Sequence, residues 1–123
     1  MKIGKLVNAK GVLAPLCKEK LSPKLSYKLM KLINKIEEEA TFFNTKMQEI
    51  LDEYCEKDDN GEFVYLDGGI KIKEEHKEKC AQALTELHSI EVETPNIKFT
   101  IDELSEVKLS VEDMMALDEF IEE

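Results

Sequence analysis

Apolar residues recur at alternating spacings of three and four along one stretch: Leu29, Ile33, Ile36, Ala40, Phe43, Met47, Ile50 and Tyr54. Leu25 extends the stripe, although the strict repeat falls on Ser26. This coiled-coil-like pattern predicts one helix of roughly 33 residues, about 50 Å long at 1.5 Å per residue. Ser22-Pro23 marks its start, an N-cap followed by Pro in the first turn, and Asp58-Asp59-Asn60-Gly61 stops it after about Lys57. So long a helix cannot bury its stripe against itself. Another element must lie along it.

The flanking patterns supply candidates. Asn8 is placed to cap a short helix running to about Glu19, weakened by Gly11 and Pro15, with Val12, Leu13, Leu16 and Cys17 on its apolar face. After the long helix, 62–65 and 70–73 flank Leu66-Asp67-Gly68-Gly69 as a hairpin, and Ile70 and Ile72 alternate with Lys71 and Lys73. A second helix, 74–89, carries Cys80, Leu84 and Leu87 and is long enough to cover only the stretch from Ala40 to Tyr54. Two strand patterns follow at 90–93 and 97–100. Thr100 with Glu103 reads as a capping box for a short helix, and Ser110 with Asp113 opens a final one over 111–121. The expectation is a single α+β, mainly α domain over 1–123. Its long helix packs antiparallel to a shorter one through a β-hairpin, with small flanking N- and C-terminal helices. Residues 25–36 are left for the two chain ends, or for a second copy, to cover; cover within one chain is favoured.

Composition agrees with a folded, helix-rich domain: 42% of residues are hydrophobic and 36% charged. No apolar run approaches the roughly 18 residues of a membrane span, and Met1-Lys2-Ile3-Gly4-Lys5 lacks the apolar core of a signal peptide, so a cytoplasmic setting is expected. Net charge is −10, unevenly spread: residues 1–36 carry nine Lys and one Glu, and residues 37–123 carry eight Lys and 26 acids. Every basic residue is Lys. The absence of Arg, whose fork suits phosphate and guanine, argues against direct nucleic-acid binding. The acidic part suits a protein partner with a basic surface.

Candidate chemistry is thin. Glu56-Lys57-Asp58-Asp59-Asn60-Gly61, with Asp67 at the twelfth position, resembles a calcium loop, but Glu at position 1, Asp at position 12 and Gly68-Gly69 after it favour a plain turn. His76 and Cys80 share a helical face without further ligands, unless the hairpin brings Cys55 close. Nothing marks an activated thiol among Cys17, Cys55 and Cys80. No catalytic residue, cofactor or metal is expected. The carboxylates Glu37, Glu38, Glu39, Glu49, Asp52, Glu53, Glu56, Asp58 and Asp59 line the long helix and its end. They are either its solvated face or a surface imitating a phosphate backbone, with the acids of 102–123 as second choice.

Helix, hairpin and helix in that order is also how prefoldin-like chaperone subunits are built, although here the second helix is too short to match the first. A closer resemblance covers most of the chain. It lies in Leu21-Ser22-Pro23-Lys24, Lys31-Leu32-Ile33-Asn34-Lys35-Ile36-Glu37-Glu38-Glu39, the Lys57–Gly61 break, Ile90-Glu91-Val92-Glu93 and Leu109-Ser110-Val111-Glu112-Asp113-Met114-Met115-Ala116-Leu117. These segments resemble small acidic proteins of tailed phages and prophages of low-GC Gram-positive bacteria. That resemblance implies an accessory protein of the host cytoplasm that works by binding, either as an inhibitor of host defence, anti-CRISPR proteins included, or as a virion assembly factor.

Overall fold

A computed structural model describes residues 1–122 of the protein. The long helix, α2, runs Pro23–Tyr54, preceded by α1, Ile3–Leu13. The order continues with β1 Tyr65–Leu66, β2 Gly69–Ile70, α3 Lys77–His88, β3 Phe99–Thr100, α4 Ile101–Leu104, α5 Val111–Ala116 and β4 Ile121–Glu122. The protein is α+β and mainly α.

At the start of α2 the Ser22 hydroxyl accepts the Leu25 N–H with Pro23 in the first turn, as the sequence predicts. The helix ends at Tyr54, three residues early. Cys55 turns extended because its segment is recruited into β-pairing, with Cys55 bridged to Ile72 and Lys57 to Phe63. That pairing also corrects the hairpin. Only two residues per strand form β1 and β2, while the expected outer arms bond to the chain leaving α2. The Glu56 N–H donates to the Lys71 carbonyl and the Val64 N–H to the Glu56 carbonyl. Asp67 and Gly68 both take positive φ, 51° and 83°, as a two-residue hairpin turn requires.

Three further expectations are corrected. Asn8 lies inside α1, not at its start, because the first turn is held from outside: the Ile3 N–H donates to the Ile90 carbonyl and the Val92 N–H to the Met1 carbonyl. The segment 90–93 therefore serves as a brace for the chain start, and of 97–100 only Phe99–Thr100 is a strand. The final helix stops at Ala116; a 3-10 turn at Asp118–Phe120 leads into β4, which pairs parallel with β3. Both capping boxes, Thr100 with Glu103 and Ser110 with Asp113, form as expected.

The two halves of α2 bury against different neighbours. Its C-terminal half packs antiparallel to α3, with the rings of Phe43 and His88 edge to face at 5.0 Å and those of Tyr54 and His76 at 5.6 Å. Gly4 lies where α1 crosses this pair: a Cβ there would meet His88 Cδ2 at 2.8 Å. The N-terminal half, Leu25, Leu29, Leu32 and Ile36, joins one core with Leu6, Ala9, Leu13 and Leu16 from the N-terminal side, and Phe99, Leu104, Leu117 and Phe120 from the C-terminal side. The two chain ends thus supply its cover. Leu32, outside the strict repeat, is fully buried, whereas Ile33 is half-buried. Among the described residues, no helix is long and apolar enough to cross a membrane.

Candidate functional site

Charge along α2 is the feature most in need of a reason. Lys24, Lys28, Lys31 and Lys35 occupy its N-terminal half, with no acid among residues 23–36. The C-terminal half carries Glu37, Glu38, Glu39, Glu49, Asp52 and Glu53 against Lys46 alone. No acid lies in the first turn and no base in the last. This is the reverse of what the helix macrodipole favours, where each well-placed terminal charge contributes about 0.3–1 kcal/mol. The distribution therefore works against α2 as an isolated helix.

The nine predicted carboxylates fall into three groups. Four bind lysines: Glu37 to Lys10 at 2.6 Å, Glu49 to Lys46 at 3.0 Å, Asp52 to Lys57 at 2.9 Å and Glu56 to Lys71 at 2.9 Å. The Lys57 ammonium holds the Asp52 carboxyl below its ordinary range, helped by the Gln48 amide, and Glu56 raises Lys71 in return. These are surface pairs, each worth little, but they place cations inside the acidic row. Asp58 is spent on the turn after α2, where its Oδ1 accepts the N–H groups of Asn60 and Glu62. That bonding is turn chemistry in the segment with calcium-loop spacing. Glu38, Glu39, Glu53 and Asp59 have no cation within 4.0 Å among the described residues. Glu38 and Glu39 face Glu93 across a cleft of about 200 Å³ that also includes Lys35. Outward-facing carboxylates from Glu38 to Glu53 span about 22 Å of helix.

Of the second-choice acids, Glu103 is the most constrained. Lys28 Nζ lies 2.7 Å from its carboxylate and also donates to the Lys98 carbonyl, and the Thr100 N–H donates to Glu103 as well. The Lys28 ammonium first, and the capping box second, draw its pKa down to about 2. The Glu106 carboxylate accepts from the N–H and hydroxyl of Ser22. Asp118 pairs with Lys5 at 2.6 Å. These three strap the C-terminal segment onto α1 and the start of α2, and their role is structural. No local pattern signals these contacts, because their partners are 75 to 113 residues away.

Cys55 and Cys80 do meet: both are buried, within hydrogen-bonding reach of one another, where the end of α2 touches the first turns of α3. His76, one turn before Cys80, leans on Tyr54, and its Nδ1 is buried with no hydrogen-bond partner among the described residues. Burial pushes both thiols above the ordinary range, the opposite of nucleophile activation. A disulfide reagent at neutral pH should therefore modify only the exposed Cys17 in the native protein, and Cys55 and Cys80 only after unfolding. Three thiols reacting at one fast rate without denaturant would contradict the packing of α2 on α3.

No protein-family model matches this chain, and no curated protein and no solved structure matches it either.

Proposed function

We propose that the protein is a phage- or prophage-encoded binding protein without enzymatic activity. In this reading it inhibits a host anti-phage defence complex, in the manner of anti-CRISPR proteins, from within the host cytoplasm. The acidic half of α2 presents its carboxylates to a basic channel that otherwise holds nucleic acid. The observation that carries this reading is the acidic C-terminal half of α2, where Glu38 and Glu53 are exposed with no cation within 4.0 Å among the described residues, and Glu53 sits in the last turn against the helix dipole. A fixed row of negative charge on a rigid helix competes with phosphates for lysines and arginines, and burial of the opposite face against α3 keeps it straight. Glu38 and Glu53 mark the two ends of the row on α2, Glu39 and Asp59 add charge beside each end, and Glu37, Glu49, Asp52 and Glu56 join by exchanging their own lysines for the partner's.

A second reading, virion assembly, draws on the exposed apolar residues Val111 and Met115 of α5, which suit a protein contact that does not depend on charge.

Recovery of the tagged protein from infected host cells separates the two. The expected result is a nucleic-acid-binding defence complex that is retained at low salt, released steeply as ionic strength rises, and absent when Glu38, Glu49 and Glu53 are changed together to Lys. Recovery of head or tail components alone, equally by the parent and the triple variant, sinks the inhibitor reading.

A further inference from the structure

Two exposed apolar patches on this chain carry opposite charge. The first is a hollow of about 280 Å³ between the 3-10 turn at Ala14–Lys18 and the first turns of α2, lined mainly by Leu16, Leu21, Leu29, Met30 and Ile33, with Glu19 at its edge. Met30, 54% exposed, and Tyr27, 49% exposed, stand beside it on α2. Lys18, Lys20, Lys24 and Lys31 sit on the same two elements and their link, and none has a carboxylate within 4.0 Å among the described residues. The second patch is on α5 and the chain end. Val111, 77% exposed, and Met115, 66% exposed, are one helical turn apart beside Met114 and Ile121. Glu112 and Glu122 adjoin them in sequence, with no lysine within 4.0 Å of their carboxylates among the described residues, and the one lysine lining the patch, Lys5, is held by Asp118 at 2.6 Å.

The floors of both patches, Leu16 and Leu29 in the first, Met114 and Ile121 in the second, belong to or rest on the core that closes α2, while Met30, Val111 and Met115 stand outside it, and neither patch overlaps the acidic half of that helix. Each is apolar at its centre with a charged surround of opposite balance: four lysines against Glu19 at the first, and glutamates against a Lys5 already paired with Asp118 at the second. That is the composition of a contact whose apolar part supplies affinity while the surrounding charge sets orientation. The complementary surface exists on every copy of the protein. We propose that two copies of this chain associate by seating Val111 and Met115 of one in the lysine-flanked hollow beside Met30 of the other. The contact is heterologous, joining different patches on the two copies, so closure into a two-fold pair makes it twice.

Sedimentation equilibrium on the full chain tests this. The expected result is a mass that rises with protein concentration and falls back as salt is added. Met30→Asp and Met115→Asp, both at exposed sites, should each leave single chains with unchanged thermal melting. An equimolar mixture of the two variants should then regain a species of one copy of each, because one intact hollow still faces one intact α5. Lys31→Glu and Glu112→Lys repeat the design by charge alone, so a folding defect in a Met variant leaves the test in force. The proposal is overturned if the parent stays a single chain at every concentration in low salt, which would point instead to an acidic apolar segment of another protein. It is equally overturned if the parent associates but neither mixture restores the contact.

Discussion

Leu32→Ala should be among the most damaging single truncations in α2, lowering stability by about 2–5 kcal/mol. Leu32 is fully buried in the core that joins the N-terminal half of α2 to α1, Phe99, Leu104, Leu117 and Phe120. Removing three carbons there leaves a cavity that the neighbouring elements close only in part. In a domain whose whole stability is about 5–15 kcal/mol, such a loss lowers the thermal midpoint by on the order of 10 °C. Ile33→Ala, at the half-buried neighbouring position, should cost clearly less, and Glu38→Ala on the open face should be nearly neutral. Phe43→Asp, which buries a charge between α2, α1 and α3, should unfold the chain. Thermal denaturation of the four variants sets the order. If Ile33→Ala proves costlier than Leu32→Ala, α2 is rotated from the register described.

That comparison also marks where a strict repeat stops being a guide. A straight α-helix drifts about 20° per heptad from a 3.5-residue repeat, and only a partner that supercoils with it keeps one stripe facing inward. The C-terminal half of α2 runs along α3, with the start of α1 crossing the pair at Ile3, and there Ala40, Phe43, Met47 and Ile50 pack as the repeat predicts. Its N-terminal half meets α1 and the C-terminal segment together, so the buried set moves to Leu25, Leu29, Leu32 and Ile36. Signals complete within four residues were mostly legible, as at Ser22-Pro23, Thr100 with Glu103, Ser110 with Asp113, and Asp67-Gly68, with the Asn8 cap the exception. Elements whose partners are distant were not. Residues 90–92 are held by Met1–Ile3, and β4 exists because Phe99 and Thr100 lie beside it. The candidate carboxylates divide in the same way. The position of Glu37, Glu38, Glu39, Glu49, Asp52 and Glu53 on α2 follows from helical periodicity, whereas Glu56, Asp58 and Asp59 fall beyond its end, and whether each is free depends on lysines such as Lys10 that only the tertiary fold brings near.

The C-terminal segment yields the sharpest test of how the N-terminal half of α2 is covered. Phe120 is fully buried although only two described residues follow it, and Leu117, three positions earlier, is almost as enclosed. A 3-10 turn at Asp118–Phe120 directs the ring inward, the β3–β4 pairing holds the backbone beyond it, and Lys98 donates to the Glu119 carbonyl. Phe120→Ala should cost about 3–5 kcal/mol, because it removes one of the largest side chains in the core and leaves α1 and α2 facing a void. Loss of the ring should also loosen the 98–106 strap that Lys28 and Ser22 hold, since β3 is its first part. Hydrogen exchange should therefore speed up in β3 and α4, while α3 and the C-terminal half of α2, packed on the other core group, stay protected. A Phe120→Ala protein that melts with the parent would show that the tail does not close the core, and that the apolar face of Leu25–Ile36 finds its cover elsewhere.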